Sequence, residues 1–160
     1  MNRNVLKYIL FVLISGLLIF VDQLTKRLAL KHLCNKEPIV LINNVLELVY
    51  VENRGAAFGI LQNKYILFYL LTALVLVIIL FNLYKLDLTS KYIPYFAFLV
   101  LIFSGAVGNF IDRLKNKYVI DFIYFKPIDF PVFNFADICI TIGCAILIFS
   151  FIFIYKGDDI

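Results

Sequence analysis

The sequence predicts a membrane protein of the all-α class with a small β element: four transmembrane helices and a short sheet beside them. Three observations carry this expectation. Of the 160 residues 63% are hydrophobic and only 16% are charged, whereas soluble domains sit near about 45–50% apolar and 25% charged. Mean hydropathy is +0.95, so a water-soluble fold would expose far more apolar surface than it tolerates. The apolar residues also gather into four runs of roughly 20, the length that a helix needs to cross a bilayer core.

Taken in order, the spans are expected at about 5–24, 65–84, 92–111 and 138–155, within one integral membrane domain covering 1–160. Tyr65, Tyr84, Tyr92, Tyr95 and Tyr155 fall at their ends, where an aromatic belt sits at the membrane–water interface. The first run follows Arg3 and Lys7, as in a secretory signal, but it leaves into Asp22-Gln23-Leu24-Thr25-Lys26 with no small-residue cleavage site. It is therefore read as a retained span. Beyond it, Lys26 to Lys31 is expected to continue as a short, basic, surface-bound helix. Ile39 to Tyr50 alternates around Asn43-Asn44, the pattern of a β-hairpin lying at the interface. The third connection carries Pro127 and Pro131, which break any helix and impose an extended path.

Composition also excludes several functions. Net charge is a modest +4, with Lys and Arg scattered between the apolar runs, so nucleic acid is not an expected partner and lipid headgroups are. Cys34, Cys139 and Cys144 lack zinc or CxxC spacing, and His32 is the single histidine. No metal site, no cofactor and no Ser-His-Asp triad is expected from such a set.

Four spans place the end of the first, the start of the second, the end of the third and the start of the fourth on one side. Those edges carry Asp22, then Asn53-Arg54-Gly55, then Asn109 with Asp112 and Arg113, then Asn134 with Asp137. The opposite edges carry Arg3, Lys7, Lys85, Asp87, Lys91, Lys156, Asp158 and Asp159, read as ordinary anchors and tails. Polar chemistry is one-sided. Of the 15 Lys and Arg, ten lie on the motif-bearing side and five on the other, and a plain positive-inside count would make the motif side cytoplasmic. Several of the ten belong to the motifs or lie far from the span ends, so charge alone leaves the side open.

Carboxylates at membrane depth are costly, and each is a functional hypothesis. Asp121 in Val119-Ile120-Asp121-Phe122-Ile123 and Asp137 in Phe133-Asn134-Phe135-Ala136-Asp137 both sit among apolar neighbours, which favours the protonated form. Brought together, they would share one proton and serve as general acid and general base across a peptide bond. The alternative is structural: Asp137 caps the fourth span, and Asp121 pairs with Arg113 or Lys117. Asn109 and Asp112, three apart on one helical face, read first as a polar network at the span end. Ser104-Gly105-Ala106 and Gly108 supply small residues for close helix packing. Asn53-Arg54-Gly55-Ala56-Ala57-Phe58-Gly59 could turn tightly and hold a peptide backbone or a phosphate headgroup.

Together these blocks resemble the lipoprotein signal peptidases (signal peptidase II), bacterial membrane aspartyl proteases. Val21-Asp22-Gln23-x-Thr25-Lys26, Asn53-x-Gly55-Ala56-Ala57-Phe58, Gly108-Asn109-x-x-Asp112-Arg113, Val119-Ile120-Asp121-Phe122 and Phe133-Asn134-x-Ala136-Asp137 follow in the family's order across nearly the whole chain. The resemblance implies Asp121 and Asp137 as the catalytic dyad. It implies Asp22, Asn53, Arg54, Gly55, Asn109, Asp112, Arg113, Asn134 and Ala136 as residues that bind substrate or support the site. Asp112 is the competing dyad candidate, and its Gly-Asn-x-x-Asp-Arg context, with Arg113 available to neutralise it, favours scaffolding. Ile120 stands where the family usually has valine, and the stretch between Asp121 and Asp137 is slightly short. Also implied are diacylglyceryl-modified prolipoprotein substrates cut just before the lipidated cysteine, and no cofactor. A monomer in the bacterial inner membrane is expected, with both termini cytoplasmic, the dyad near the outer leaflet and the sheet extracytoplasmic. The main rival is a proton- or cation-coupled transporter using the same acids; its usual marks, internal repeats and broken mid-membrane helices, are absent from the sequence.

Overall fold

The computed structural model describes residues 3–55 and 61–155. Ala56, Ala57, Phe58 and Gly59 of the glycine-bearing motif, and Lys156, Asp158 and Asp159 of the tail, lie outside the described residues. Chain order is α1 (Arg3–Leu33), β1 (Ile39–Ile42), β2 (Leu46–Asn53), α2 (Tyr65–Lys85), α3 (Ile93–Asn116), β3 (Val119–Phe125) and α4 (Phe135–Phe153). Among the described residues four helices are long and apolar enough to cross a membrane. Large apolar side chains such as Val12, Ile66, Leu70 and Ile152 point outward from them. Only lipid solvates such a surface without penalty.

Helix α3 is the hub and packs against α4, α1 and α2. Its small residues set the spacing. A Cβ on Gly105 would meet the Ala136 carbonyl oxygen at 2.5 Å, and one on Gly108 would meet Asp22 Oδ2 at 2.5 Å. Glycine is therefore what allows α1, α3 and α4 to converge at the polar end. Toward the other end Phe11, Ile79, Leu83, Leu86, Phe96, Leu99 and Val100 close a common core, with the Phe11 ring edge-on to Phe103 at 5.0 Å. Lys7, read from sequence as an interfacial anchor, is instead buried there. Its Nζ donates to the Leu86 carbonyl at 2.6 Å, satisfying a backbone acceptor just past the end of α2.

The sheet is antiparallel in the order β1-β2-β3. A turn at Asn43-Asn44 joins β1 to β2, with Asn44 in the left-handed region at φ 57°, a conformation that asparagine accepts readily. The expected hairpin is thus present, and β2 continues past Tyr50 to Asn53. Its second neighbour, β3, pairs Val51 with Asp121 and Asn53 with Val119. That strand is formed by the apolar stretch around Asp121. The basic continuation of the first span is helical, as expected, with Arg27, Leu28, Leu30 and Lys31 exposed, and it departs from expectation at Lys26. Helix α1 runs unbroken to Leu33, and Lys26 is 1% exposed rather than surface-bound. Ala29 and Leu33 then pack against Ile120 and Phe122, seating the sheet on the end of α1.

Candidate active site

The site forms where α4 begins. Asn134 is its N-cap: the side-chain Oδ1 accepts from the Asp137 backbone N–H at 3.0 Å, and Asp137 Oδ2 accepts from the Asn134 N–H at 3.1 Å. This reciprocal capping box satisfies helix-end donors and fixes both side chains. The preceding residue, Phe133, pairs with β3: its N–H donates to the Ile123 carbonyl at 3.0 Å, and the Ile123 N–H returns a bond at 2.8 Å. The bridge lays the start of α4 alongside Asp121. Asp137 is therefore a cap, as the structural reading held, and its other oxygen remains available to the site.

Asp121 is 3% exposed. Its Oδ1 accepts from Asn134 Nδ2 at 2.6 Å and its Oδ2 from Asn53 Nδ2 at 2.9 Å. Asp137 Oδ1 accepts from Asn109 Nδ2 at 2.8 Å. Neither Arg113 nor Lys117 takes Asp121, as the structural alternative supposed; carboxamides do. Burial pushes the Asp121 carboxyl up to about 6, with the Asp137 charge reinforcing it, while the amide bonds and Lys26 pull the other way. Both carboxyls line one cavity of about 670 Å³, together with Asn53, Asn109 and Arg113.

Behind this wall lies a second layer. Lys26 Nζ pairs with Asp22 at 3.0 Å and with Asp112 at 3.2 Å, and donates to Asn109 Oδ1 at 2.9 Å. Asp22 Oδ1 accepts the Ala136 N–H at 3.0 Å, and Asp112 Oδ2 accepts the Ile120 N–H at 3.1 Å. Gln23 Nε2 donates to Asp112 at 3.0 Å. Asp22 thus ties α1 to α4, Asp112 ties α3 to β3, and Lys26 joins the two acids. Sequence reasoning gave the neutralisation of Asp112 to Arg113; the structure gives it to Lys26. Arg113 instead donates to the Gly55 carbonyl at 3.1 Å and lies over the Phe68 ring at 4.5 Å. Gly55 N–H in turn donates to Asn53 Oδ1 at 2.9 Å. Arg54 stays on the exposed rim, paired with Glu52 at 2.8 Å. The Asp22-Gln23-x-Thr25-Lys26 block, which by sequence is either an ion-pair and hydrogen-bond anchor or a contributor to the site, forms that anchor here, and what the sequence did not disclose is that Lys26 and Gln23 also reach Asp112 on α3. The signal for the anchor is the i, i+4 spacing of Asp22 and Lys26, which puts both on one helical face.

Fold and site define a class: a multi-pass membrane protein in which a buried aspartate, Asp121, and a half-buried one, Asp137, line one cavity and are held by amide groups. A family model described as Signal peptidase (SPase) II matches residues 14–153. The chain belongs to the signal peptidase II family, aspartic endopeptidases that remove the signal peptide from prolipoproteins. It is 43% identical over 147 residues to the lipoprotein signal peptidase of Caldanaerobacter subterraneus subsp. tengcongensis, covering 91% of this chain and 97% of that one. With the lipoprotein signal peptidase of Clostridium tetani it shares 41% over 150 residues, covering 92% and 93%. A bacterial membrane enzyme solved by the in meso method at 2.3 Å resolution superposes with a TM-score of 0.81 at 31% identity, covering 89% of this chain and 87% of that one.

Proposed function

We propose that Asp121 and Asp137 are the catalytic dyad of this peptidase. They would cut diacylglyceryl-modified prolipoproteins just before the lipidated cysteine. One observation carries the assignment: Asn134 donates to both carboxylates, from its side chain to Asp121 and from its backbone to Asp137, at the wall of one cavity. Asp137, held by an amide and a backbone N–H, acts as base and takes a proton from water. Asp121, the carboxyl raised by burial, carries the shared proton and donates it to the scissile carbonyl oxygen as water attacks. Entry of an acylated peptide removes further water and raises Asp121 again. As the tetrahedral intermediate collapses and the C–N bond breaks, Asp137 gives the proton it took from water to the leaving cysteine nitrogen, and Asp121 takes back a proton from a hydroxyl of the intermediate as the product carboxyl forms.

The same reading puts the cavity near the outer leaflet of the bacterial inner membrane, with both termini cytoplasmic. Acyl chains of the substrate then stay in lipid while its peptide bond reaches the aspartates. The raw charge count weighs little against this orientation. Of the ten cations on the cavity side, Lys26, Arg54 and Lys126 sit in ion pairs and Arg113 is engaged inside the fold. A monomer suffices, because α3, α4 and the sheet of one chain supply the lining described above.

Asp121→Asn and Asp137→Asn should each insert normally yet lower cleavage of a diacylated precursor by at least about 10³-fold, the scale of losing an essential acid or base. Turnover near that of the parent in either variant would overturn the dyad. Assays with and without chelator, on diacylated and non-lipidated precursors, test the rest. Cleavage abolished by chelator would replace the two-carboxylate mechanism with a metal-assisted one, and equal cleavage of both precursors would remove the acyl requirement.

A further inference from the structure

Three carboxamides face the two aspartates, and each is fixed from its oxygen side. Asn53 Oδ1 accepts from the Gly55 N–H, and Asn134 Oδ1 accepts from the Asp137 N–H. Their NH2 groups are thereby left to point at Asp121. Asn109 has no such backbone donor in its network. Its oxygen is held by Lys26 Nζ at 2.9 Å and by Asn134 Nδ2 at 3.1 Å, and its NH2 reaches Asp137 at 2.8 Å. An ammonium has three donors and no acceptor, so Lys26 can face only the oxygen of Asn109. The flipped amide, with its oxygen toward Asp137, is excluded while Lys26 is in place.

We propose that Lys26 is a positioning residue of the dyad: it locks the Asn109 amide so that an N–H, rather than an oxygen lone pair, meets Asp137. This inference rests on the dyad reading. Its ground is the cost of the arrangement. Lys26 is 1% exposed, and a buried ammonium is kept only where partners compensate it. Two carboxylates, Asp22 on α1 and Asp112 on α3, do so at 3.0 and 3.2 Å. The third bond, to Asn109, is the one directed at the cavity. The other charged groups around this cluster are Asp137 on α4, Asp121 on β3 and Arg113 on α3, all lining the cavity. Loss of the lysine removes a positive charge from that set and leaves the Asn109 oxygen held by Asn134 Nδ2 alone, so the amide is held less firmly against Asp137. Both changes make ionisation of the pair harder, and the acidic limb of activity must move to higher pH.

Lys26→Met alone leaves Asp22 and Asp112 facing one another without a counter-charge, and the fold itself is then at risk. The decisive variant is therefore K26M with D22N, which keeps the net charge of the cluster and an oxygen for the Ala136 N–H, measured against D22N alone. Relative to D22N, the double variant should lose at least about tenfold in kcat on a diacylated precursor, with KM within about twofold, as expected for loss of an interaction that serves the reacting state. The acidic limb of kcat/KM should rise by about one pH unit. Lys26→Arg, which also offers only donors to Asn109, should recover part of kcat and the limb. An unchanged limb, or a loss confined to KM or to thermal stability, would overturn the positioning role and leave Lys26 as a staple. Asp121→Asn and Asp137→Asn report separately on the dyad, so failure of that reading shows up as retained cleavage there.

Discussion

Each oxygen of the two aspartates is met by a donor, and the donors differ in what they can be asked to do. Asn53 reaches Asp121 from β2, two residues along from the position directly across the strand pair, within range of a diagonal cross-strand contact. Its N–H favours the ionised carboxylate and so holds the Asp121 carboxyl below where burial alone would put it. Asn53→Ala should let that carboxyl rise further. The alkaline limb of kcat/KM, set by loss of the shared proton, should then move up by roughly half to one pH unit, with kcat lower by about tenfold as the carboxyl loses its aim. A pH–rate profile on a diacylated precursor checks this, and a limb fixed at the parent's position would show that Asn53 does not bond Asp121 during turnover. At this scale the sequence disclosed the acids and amides but not their pairings. Arg113 beside Asp112 looked like an ion pair by adjacency. Consecutive helical residues point about 100° apart, and Arg113 in fact reaches Gly55 while Asp112 turns to Lys26.

Elements convert those pairings into geometry, and the tightest convergence is at Gly108. Helix α3 passes α1 and α4 so closely there that a Cβ would sit 2.5 Å from Asp22 Oδ2 and 3.3 Å from Ala136 Cβ. Asp22 cannot yield, being held by Lys26 and by the Ala136 N–H. Gly108→Ala should cost about 1–3 kcal/mol, as overpacking does, and should lower activity because the displaced Asp22 disturbs the start of α4. Gly16→Ala is the matched control: nothing lies within 4 Å of its Cβ position, and the melting temperature in detergent should stay within a few degrees of the parent's. Equal effects of the two substitutions would show that helix propensity, not close approach, governs both. The four helices were legible because apolar length is a local signal. Strand β3 was not, since a strand of mixed burial declares itself only through its partner, and Val51 and Asp121 lie far apart in the chain. The helical continuation past Lys26 was legible too, and only the burial of Lys26 was not: polarity at Asp22 and Lys26 resembles a span's exit, whereas here these residues pair within the helix.

For the molecule as a whole, the site is a place where stability is given up. A buried carboxyl that is hard to ionise binds its proton more tightly in the folded protein than in the unfolded chain. Asp121 is raised from 3.8 to about 6 by burial first, then by the charge of Asp137. Between these two values the folded state therefore holds more protons than the unfolded one, and stability falls as pH rises through that window. Below it both states are protonated and nothing is lost. Above about 6 the folded state carries the full penalty of an ionised Asp121, roughly 3 kcal/mol at about 1.4 kcal/mol per pH unit. Other acids, such as Glu47 in its pair with Lys126, contribute with the opposite sign, so the parent's melting curve against pH mixes several slopes. Asp121→Asn isolates the one that matters, because asparagine keeps the shape and cannot ionise. Melting in detergent should show the variant gaining on the parent as pH is raised from 4 to 7, with the two converging toward the acid end. A difference between them that does not change with pH would mean that Asp121 is not raised in the fold. It would also undercut its role as the proton-bearing member of the dyad, since the burial that destabilises the ionised carboxyl is the same burial that keeps its proton available to the scissile carbonyl.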